Sequence, residues 1–99
     1  MRIEWDPAKS ANNKTKQGIA FERAQLVFDD PCCVTFPERV VDGEERWHAI
    51  GLIAGIVIIV VVHTYRAEAS EGKSNEAVRI ISARRATRRE REIYAQAID

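Results

Sequence analysis

From Ile56 to Thr64 the chain reads Ile-Val-Ile-Ile-Val-Val-Val-His-Thr, nine residues of which all but His63 are β-branched. A continuous run of this kind, without polar alternation, reads as a strand buried on both faces. The wider apolar block, Leu52 to Val62, is interrupted by Gly55 and falls far short of the roughly 20 residues that span a bilayer. It is therefore expected to be a core strand, not an anchor. A chain of 99 residues makes one domain, expected over residues 1–99, and buries only about two-thirds of its unfolded surface. One modest core must then cover this strand from both sides.

The neighbouring segments supply that cover. Asp6-Pro7 is a helix start, with Asp at the N-cap and Pro at N1. Gly18 offers a C-terminal stop. A second helix is expected from about Phe21 to Phe28, with Phe21, Ala24, Val27 and Phe28 on one face. Asp29-Asp30-Pro31 ends it. The period then changes to 2: Cys33 to Phe36 reads as a short strand and Asp42-Gly43-Glu44 as a turn. Arg46 to Leu52 alternates, and Ala54-Gly55 is short enough for a two-residue hairpin loop. Ala67 to Asn75, small and polar, reads as a flexible loop, and Val78 to Ala83 returns to strand. Thr87-Arg88-Arg89-Glu90 is a capping box that opens a last helix. The expected fold is α+β: two N-terminal helices, an antiparallel sheet of three to four strands, and a C-terminal helix.

Charge is distributed unevenly. Between Arg79 and Arg91 six arginines face one acid, Glu90, whereas the rest of this formally neutral chain carries nine basic and fourteen acidic residues. Such asymmetry points to a built anion-binding edge. Guanidinium is the preferred phosphate ligand because its donor fork matches phosphate oxygens and never loses its charge. RNA or DNA is thus the first partner to consider.

Other classes recede. Cys32 and Cys33 are adjacent, a spacing that disfavours a disulfide between them and suits a reducing cytoplasm. No cluster has structural-zinc spacing, so neither metal nor cofactor is expected. Met1 to Asp6 turns acidic before any apolar run begins, so no secretory signal is expected.

Five motifs occur in order: Glu4-Trp5-Asp6-Pro7-Ala8-Lys9; Phe21-Glu22-Arg23-Ala24 with Val27-Phe28-Asp29-Asp30-Pro31; Glu45-Arg46-Trp47-His48-Ala49-Ile50-Gly51; Val61-Val62-His63-Thr64-Tyr65-Arg66; and Arg79-Ile80-Ile81-Ser82-Ala83-Arg84-Arg85-Ala86-Thr87. Together they resemble the BrnT family of bacterial toxins, themselves similar in fold to RelE-type ribonucleases. The resemblance implies a metal-independent endoribonuclease that arrests growth by cutting RNA. It also implies a cognate BrnA-like antitoxin with a ribbon-helix-helix part, through which alone the toxin reaches DNA. Lys16-Gln17-Gly18 departs from the family's usual Lys-His-Gly, and glutamine cannot serve as acid or base.

Metal-free RNA cleavage needs a base for the 2′-OH, cations for the phosphorane and an acid for the leaving oxygen. With a two-residue Ala54-Gly55 turn, Arg46 falls opposite His63, with His48 on the same face. The candidate catalytic residues are His63 as the base, Arg46 beside it, and Arg66, Arg79 and Arg84, near strand ends or the strand–helix junction, as phosphate ligands; His48 is the less favoured histidine. A one-residue slip would scatter this group across faces. Arg88, Arg89 and Arg91 read as a solvated helix face, Lys9, Lys14 and Lys16 as exposed, and Trp5, Trp47 and Tyr94 as core. A second functional reading stays open, a non-catalytic module acting only through an antitoxin-like DNA-binding partner. No membrane association is expected, and a homodimer would cover an edge of so small a sheet.

Overall fold

The computed structural model describes residues 2–70 and 73–98, apart from the side chains at 68–70 and 73–75. Its elements are β1 (Arg2–Glu4), α1 (Pro7–Gln17), α2 (Phe21–Ala24), a 3-10 turn (Gln25–Asp29), β2 (Val34–Val41), β3 (Glu44–Ile53), β4 (Val57–Ser70), β5 (Lys73–Arg85) and α3 (Arg88–Ile98). The strands form one sheet in the order β1-β5-β4-β3-β2, antiparallel except where β1 runs parallel to β5. The α+β class holds, but the sheet has five strands instead of three to four. β1 is three residues long, too short to show a period. It pairs with β5 through Arg2↔Ala77, Ile3↔Val78 and Glu4↔Arg79, a partner more than seventy residues away in sequence.

Two more expectations are corrected. β4 and β5 stay paired out to Ser70↔Lys73, so the loop expected over Ala67 to Asn75 is strand on both arms, with residues 71 and 72 outside the described residues. Small polar side chains disfavour strand locally, but pairing overrides such weak preferences. The second helix keeps α geometry only over Phe21–Ala24 and tightens into the 3-10 turn before Asp30. The first strand after it runs longer than expected, from Val34 to Val41.

The α1 caps follow the sequence. Asp6 accepts a hydrogen bond from Ala8 N at 2.9 Å, Pro7 opens the helix, and Gly18 ends it at φ 77°. The way α1 docks does not follow, because its buried residues are Ser10 and Asn13. Asn13 Nδ2 donates to the carbonyls of Ile19 (2.7 Å) and Ala83 (2.9 Å), and Asn13 Oδ1 accepts from Ala83 N at 3.2 Å. One side chain thus completes β5 where β1 no longer runs beside it. Ser10 Oγ accepts from Phe21 N at 2.9 Å and donates to Glu22 Oε1 at 3.0 Å, tying α1 to the start of α2.

Helices α1 and α2 and the 3-10 turn cover one face of the sheet. Phe21, Ala24 and Val27 meet Ala49, Ile53, Ile59, Val61, Val78, Ile80 and Ala83 there. A Cβ at Gly51 would collide with Val27, so this glycine admits the 3-10 turn against β3. On the other face α3 brings Tyr94 and Ile93 against Ile50, Val60, Leu52 and Ile58. That cluster lies toward the β3–β4 turn. The remainder of this second face has no helix over it among the described residues.

Candidate nucleic-acid interface

Strand register decides which side chains share the uncovered face. Residues directly opposite one another point the same way, and alternation carries that along each strand. One row crosses four strands as Phe36, His48, Val62 and Ser82, and the next row toward α3 is Val34, Ile50, Val60 and Arg84. On the far side of the His48 row lie Thr64, Arg79 and Glu4. Arg46, opposite Arg39, shares the face two residues before His48, and Arg66 does so two residues after Thr64. Arg46, Arg66, Arg79 and Arg84 therefore stand on one face, together with His48.

His63 does not join them. The β3–β4 connection makes its tight turn at Ala54 and Gly55, both at positive φ (54° and 66°), but Ile56 is inserted after it. Ile53 consequently pairs with Val57, and His63 falls opposite Trp47 instead of Arg46. That one-residue shift sends His63 to the helix-covered face. There it is fully buried, with the rings of Phe28 and Tyr65 edge-on at 5.0 Å each. Nδ1 lies 3.2 Å from the Val61 carbonyl, which favours the Nδ1–H tautomer, and Nε2 has no partner among the described residues. Desolvation outweighs that hydrogen bond and pulls the imidazole pKa down to about 4. His63 is a neutral core residue out of reach of a ligand on the open face.

The histidine on the open face is His48. It is half-buried, with the Phe36 ring 5.6 Å away and steeply inclined.

The arginines divide by their partners. Arg84 forms a two-pronged pair with Glu90, Nη1–Oε1 at 2.7 Å and Nη2–Oε2 at 2.9 Å. The same carboxylate accepts from Thr87 N at 2.8 Å, and Glu90 N donates to Thr87 Oγ1 at 3.2 Å, so the capping box forms as read from sequence. The hydrogen bond from Arg84 is the main cause that holds the Glu90 pKa at about 2, and it raises that of Arg84 in turn. Arg84 thus fastens the start of α3. Arg66 Nη1 donates to Glu4 Oε1 at 3.0 Å, while Arg79 Nη1 and Arg2 Nη2 each lie 3.8 Å from Glu4 Oε2.

Among the described residues, Arg46 Nε and Thr64 Oγ1 are buried without hydrogen-bond partners. Buried polar atoms are nearly always satisfied, so these two call for a partner such as a water, an ion or a ligand. Sequence reasoning missed Glu4 and Thr64. Glu4 stood in a recognised motif, but only the β1–β5 pairing carries it to this face.

Gln17 opens elsewhere. With Lys9, Asn12, Asn13, Lys16, Ile81 and Ser82 it lines a pocket of about 400 Å³ between α1 and β5. Ser82 brings that pocket to the margin of the open face. Among the described residues no group of three or more His, Cys, Asp or Glu side chains could hold a metal ion, and no helix is long and apolar enough to cross a membrane.

A family model described as "Ribonuclease toxin, BrnT, of type II toxin-antitoxin system" matches residues 5–90. The chain belongs to the BrnT family. It is therefore a ribonuclease toxin of the type II toxin–antitoxin class, with an antitoxin partner and an RNA substrate implied by that membership. Among solved structures it is similar to the crystal structure of the Brucella abortus ribonuclease toxin BrnT, at 28% identity and a TM-score of 0.63. The match covers 89% of this chain and 99% of that one. No curated relative matches the chain.

Proposed function

We propose that this BrnT-family chain is a metal-independent endoribonuclease, built as one domain over residues 1–99, and that its open sheet face is the active site. The observation that carries this reading is the convergence of Arg46, Arg66 and Arg79 from three strands, beside His48, on the part of the sheet face that α3 leaves uncovered among the described residues. The scissile phosphate sits among those guanidinium groups, which stabilise the extra negative charge of the phosphorane. His48 accepts the 2′-hydroxyl proton as the 2′-oxygen bonds to phosphorus. The P–O5′ bond breaks, the 5′-oxygen takes a proton from water, and a 2′,3′-cyclic phosphate remains. Arg84 contributes at one remove, by holding α3 at the border of the face.

An antitoxin that occludes this cationic face would block access of RNA to it. A cognate ribbon-helix-helix antitoxin would silence the toxin and carry the DNA contact, and the toxin would act in the cytoplasm on RNA. The test is incubation of the purified chain with labelled RNA in EDTA, with and without translating ribosomes. Cleavage in EDTA that leaves 2′,3′-cyclic ends and weakens in Arg46→Ala, Arg79→Ala and His48→Ala supports the reading. Intact RNA in both reactions, from folded protein, overturns it and leaves a partner-binding module.

A further inference from the structure

We infer that Glu4 is a positioning residue of the proposed site: its carboxylate holds Arg66 and Arg79 together and aims their remaining donors at the scissile phosphate. This rests on the ribonuclease reading above. Each guanidinium carries five N–H donors in one plane. Arg66 commits one of them to Glu4, at 3.0 Å, and Arg79 only approaches the carboxylate, at 3.8 Å. Among the described residues, most donors on both therefore stay available to a ligand.

Arg66 and Arg79 lie on adjacent strands, Arg66 opposite Ala77 and Arg79 opposite Thr64. Two cations this close repel one another, and a carboxylate between them allows both to remain over the face. Glu4 is suited to the task, since its side chain is 20% exposed against 52% for Arg66 and 36% for Arg79. The carboxylate is the more sheltered partner, and the guanidinium groups reach outward from it. The three-residue strand β1 sets Glu4 directly opposite Arg79.

A role for Glu4 as the proton acceptor fits less well. Both its oxygens already face guanidinium nitrogens, Oε1 toward Arg66 and Oε2 toward Arg79 and Arg2. The carboxylate is thus turned toward the guanidinium groups and is the more sheltered partner, as suits a group that orients them. A purely structural role fits less well too, because partly exposed ion pairs contribute little to stability.

The experiment is a double-mutant cycle of Glu4→Gln and Arg79→Ala in the EDTA cleavage assay, with kcat and KM measured separately and folding checked by thermal unfolding. The expected result for Glu4→Gln is a fall of about tenfold in kcat with KM unchanged or lower. Removing a negative charge favours RNA binding while the arginines lose their aim. On the Arg79→Ala background, Glu4→Gln should cost less than about twofold, because its target is already gone. Wild-type kinetics in Glu4→Gln, an undiminished effect in the double variant, or a rise in KM with kcat intact would each overturn the inference. Should Glu4→Gln lower the folded fraction, the cycle is run with Glu4→Asp and the same outcomes decide. Failure of the wild type to cut RNA would overturn the ribonuclease reading itself, a result distinct from indifference to Glu4→Gln in an active enzyme.

Discussion

Tyr94 donates its hydroxyl proton to Asp30 Oδ2 at 2.6 Å, which ties the middle of α3 to the turn that ends the 3-10 segment. The same oxygen accepts from Leu52 N at 2.8 Å, and Oδ1 accepts from Cys32 N at 2.9 Å. One carboxylate thus joins the turn, β3 and the helix that borders the open face. Desolvation pushes the Asp30 pKa up, but these three donors outweigh it and the net shift is downward. Tyr94 responds in the opposite direction: the Asp30 hydrogen bond, with burial and the adjacent charge, raises its pKa to about 12.

Breaking this link should be measurable by urea unfolding. Tyr94→Phe should cost roughly 1–2 kcal/mol, and Asp30→Ala more, because it leaves two backbone N–H groups unpaired. The raised tyrosine pKa means that the link contributes fully below the ordinary value of 10.0 and fades as pH climbs toward 12. Stability of the wild type should therefore fall across that alkaline interval, and Tyr94→Phe should flatten the fall. An unchanged alkaline profile in the variant would count against the link.

His63 and His48 should separate cleanly. His63→Leu, which fills the same core space without an unpaired nitrogen, should keep RNA cleavage within about threefold. His48→Ala should lose roughly 10²–10⁴-fold in rate. In the folded protein His63 stays neutral down to about pH 4, against 6.5 when unfolded. Between those values the unfolded chain binds more protons, so stability present above pH 6.5 is lost as pH falls toward 4. The loss amounts to roughly 3 kcal/mol. Unfolding curves of His63→Leu should lack that component, and a cleavage defect in His63→Leu would reverse the assignment.

Asn13 stands in for a strand at the edge of β5. Asn13→Ala should cost roughly 2–4 kcal/mol, since the N–H and carbonyl of Ala83 and the carbonyl of Ile19 all lose their partner. Lys9→Ala and Lys16→Ala, on the same helix but exposed, should stay within about 0.5 kcal/mol of wild type. Chemical denaturation of the three variants makes the comparison.

Gly51 is needed for space, not for backbone freedom, because the obstacle is the Val27 side chain. Gly51→Ala should destabilise by about 1–3 kcal/mol. Adding Val27→Ala should recover part of that loss, as expected for residues in contact. Additive costs in the double variant would show that the crowding lies elsewhere.

Much of the architecture was legible because local physics decides it. The β-branched run from Ile56 is a central strand with a neighbour on each side. Asp6, Pro7 and Gly18 bound α1, and Thr87 with Glu90 caps α3, since those side chains act on backbone within a few residues of themselves. The ordered motifs likewise identified the family. What depended on long-range pairing was not legible. β1 acquires meaning only beside β5, and Glu4 only beside Arg79. The polar stretch after Ala67 becomes strand because its partner is there to pair with it.

The site shows the division most sharply. Arginine composition alone pointed to an anion, and four of the expected arginines do share a face. Which histidine accompanies them turned on a single inserted residue, Ile56, because side chains alternate along a strand and a shift of one exchanges the faces. Short-range chemistry sets the elements, their caps and the surplus of guanidinium groups, and all of these can be read along the chain. Sheet register is a relation between distant segments, so it takes the folded sheet to place His48 with the arginines and His63 in the core.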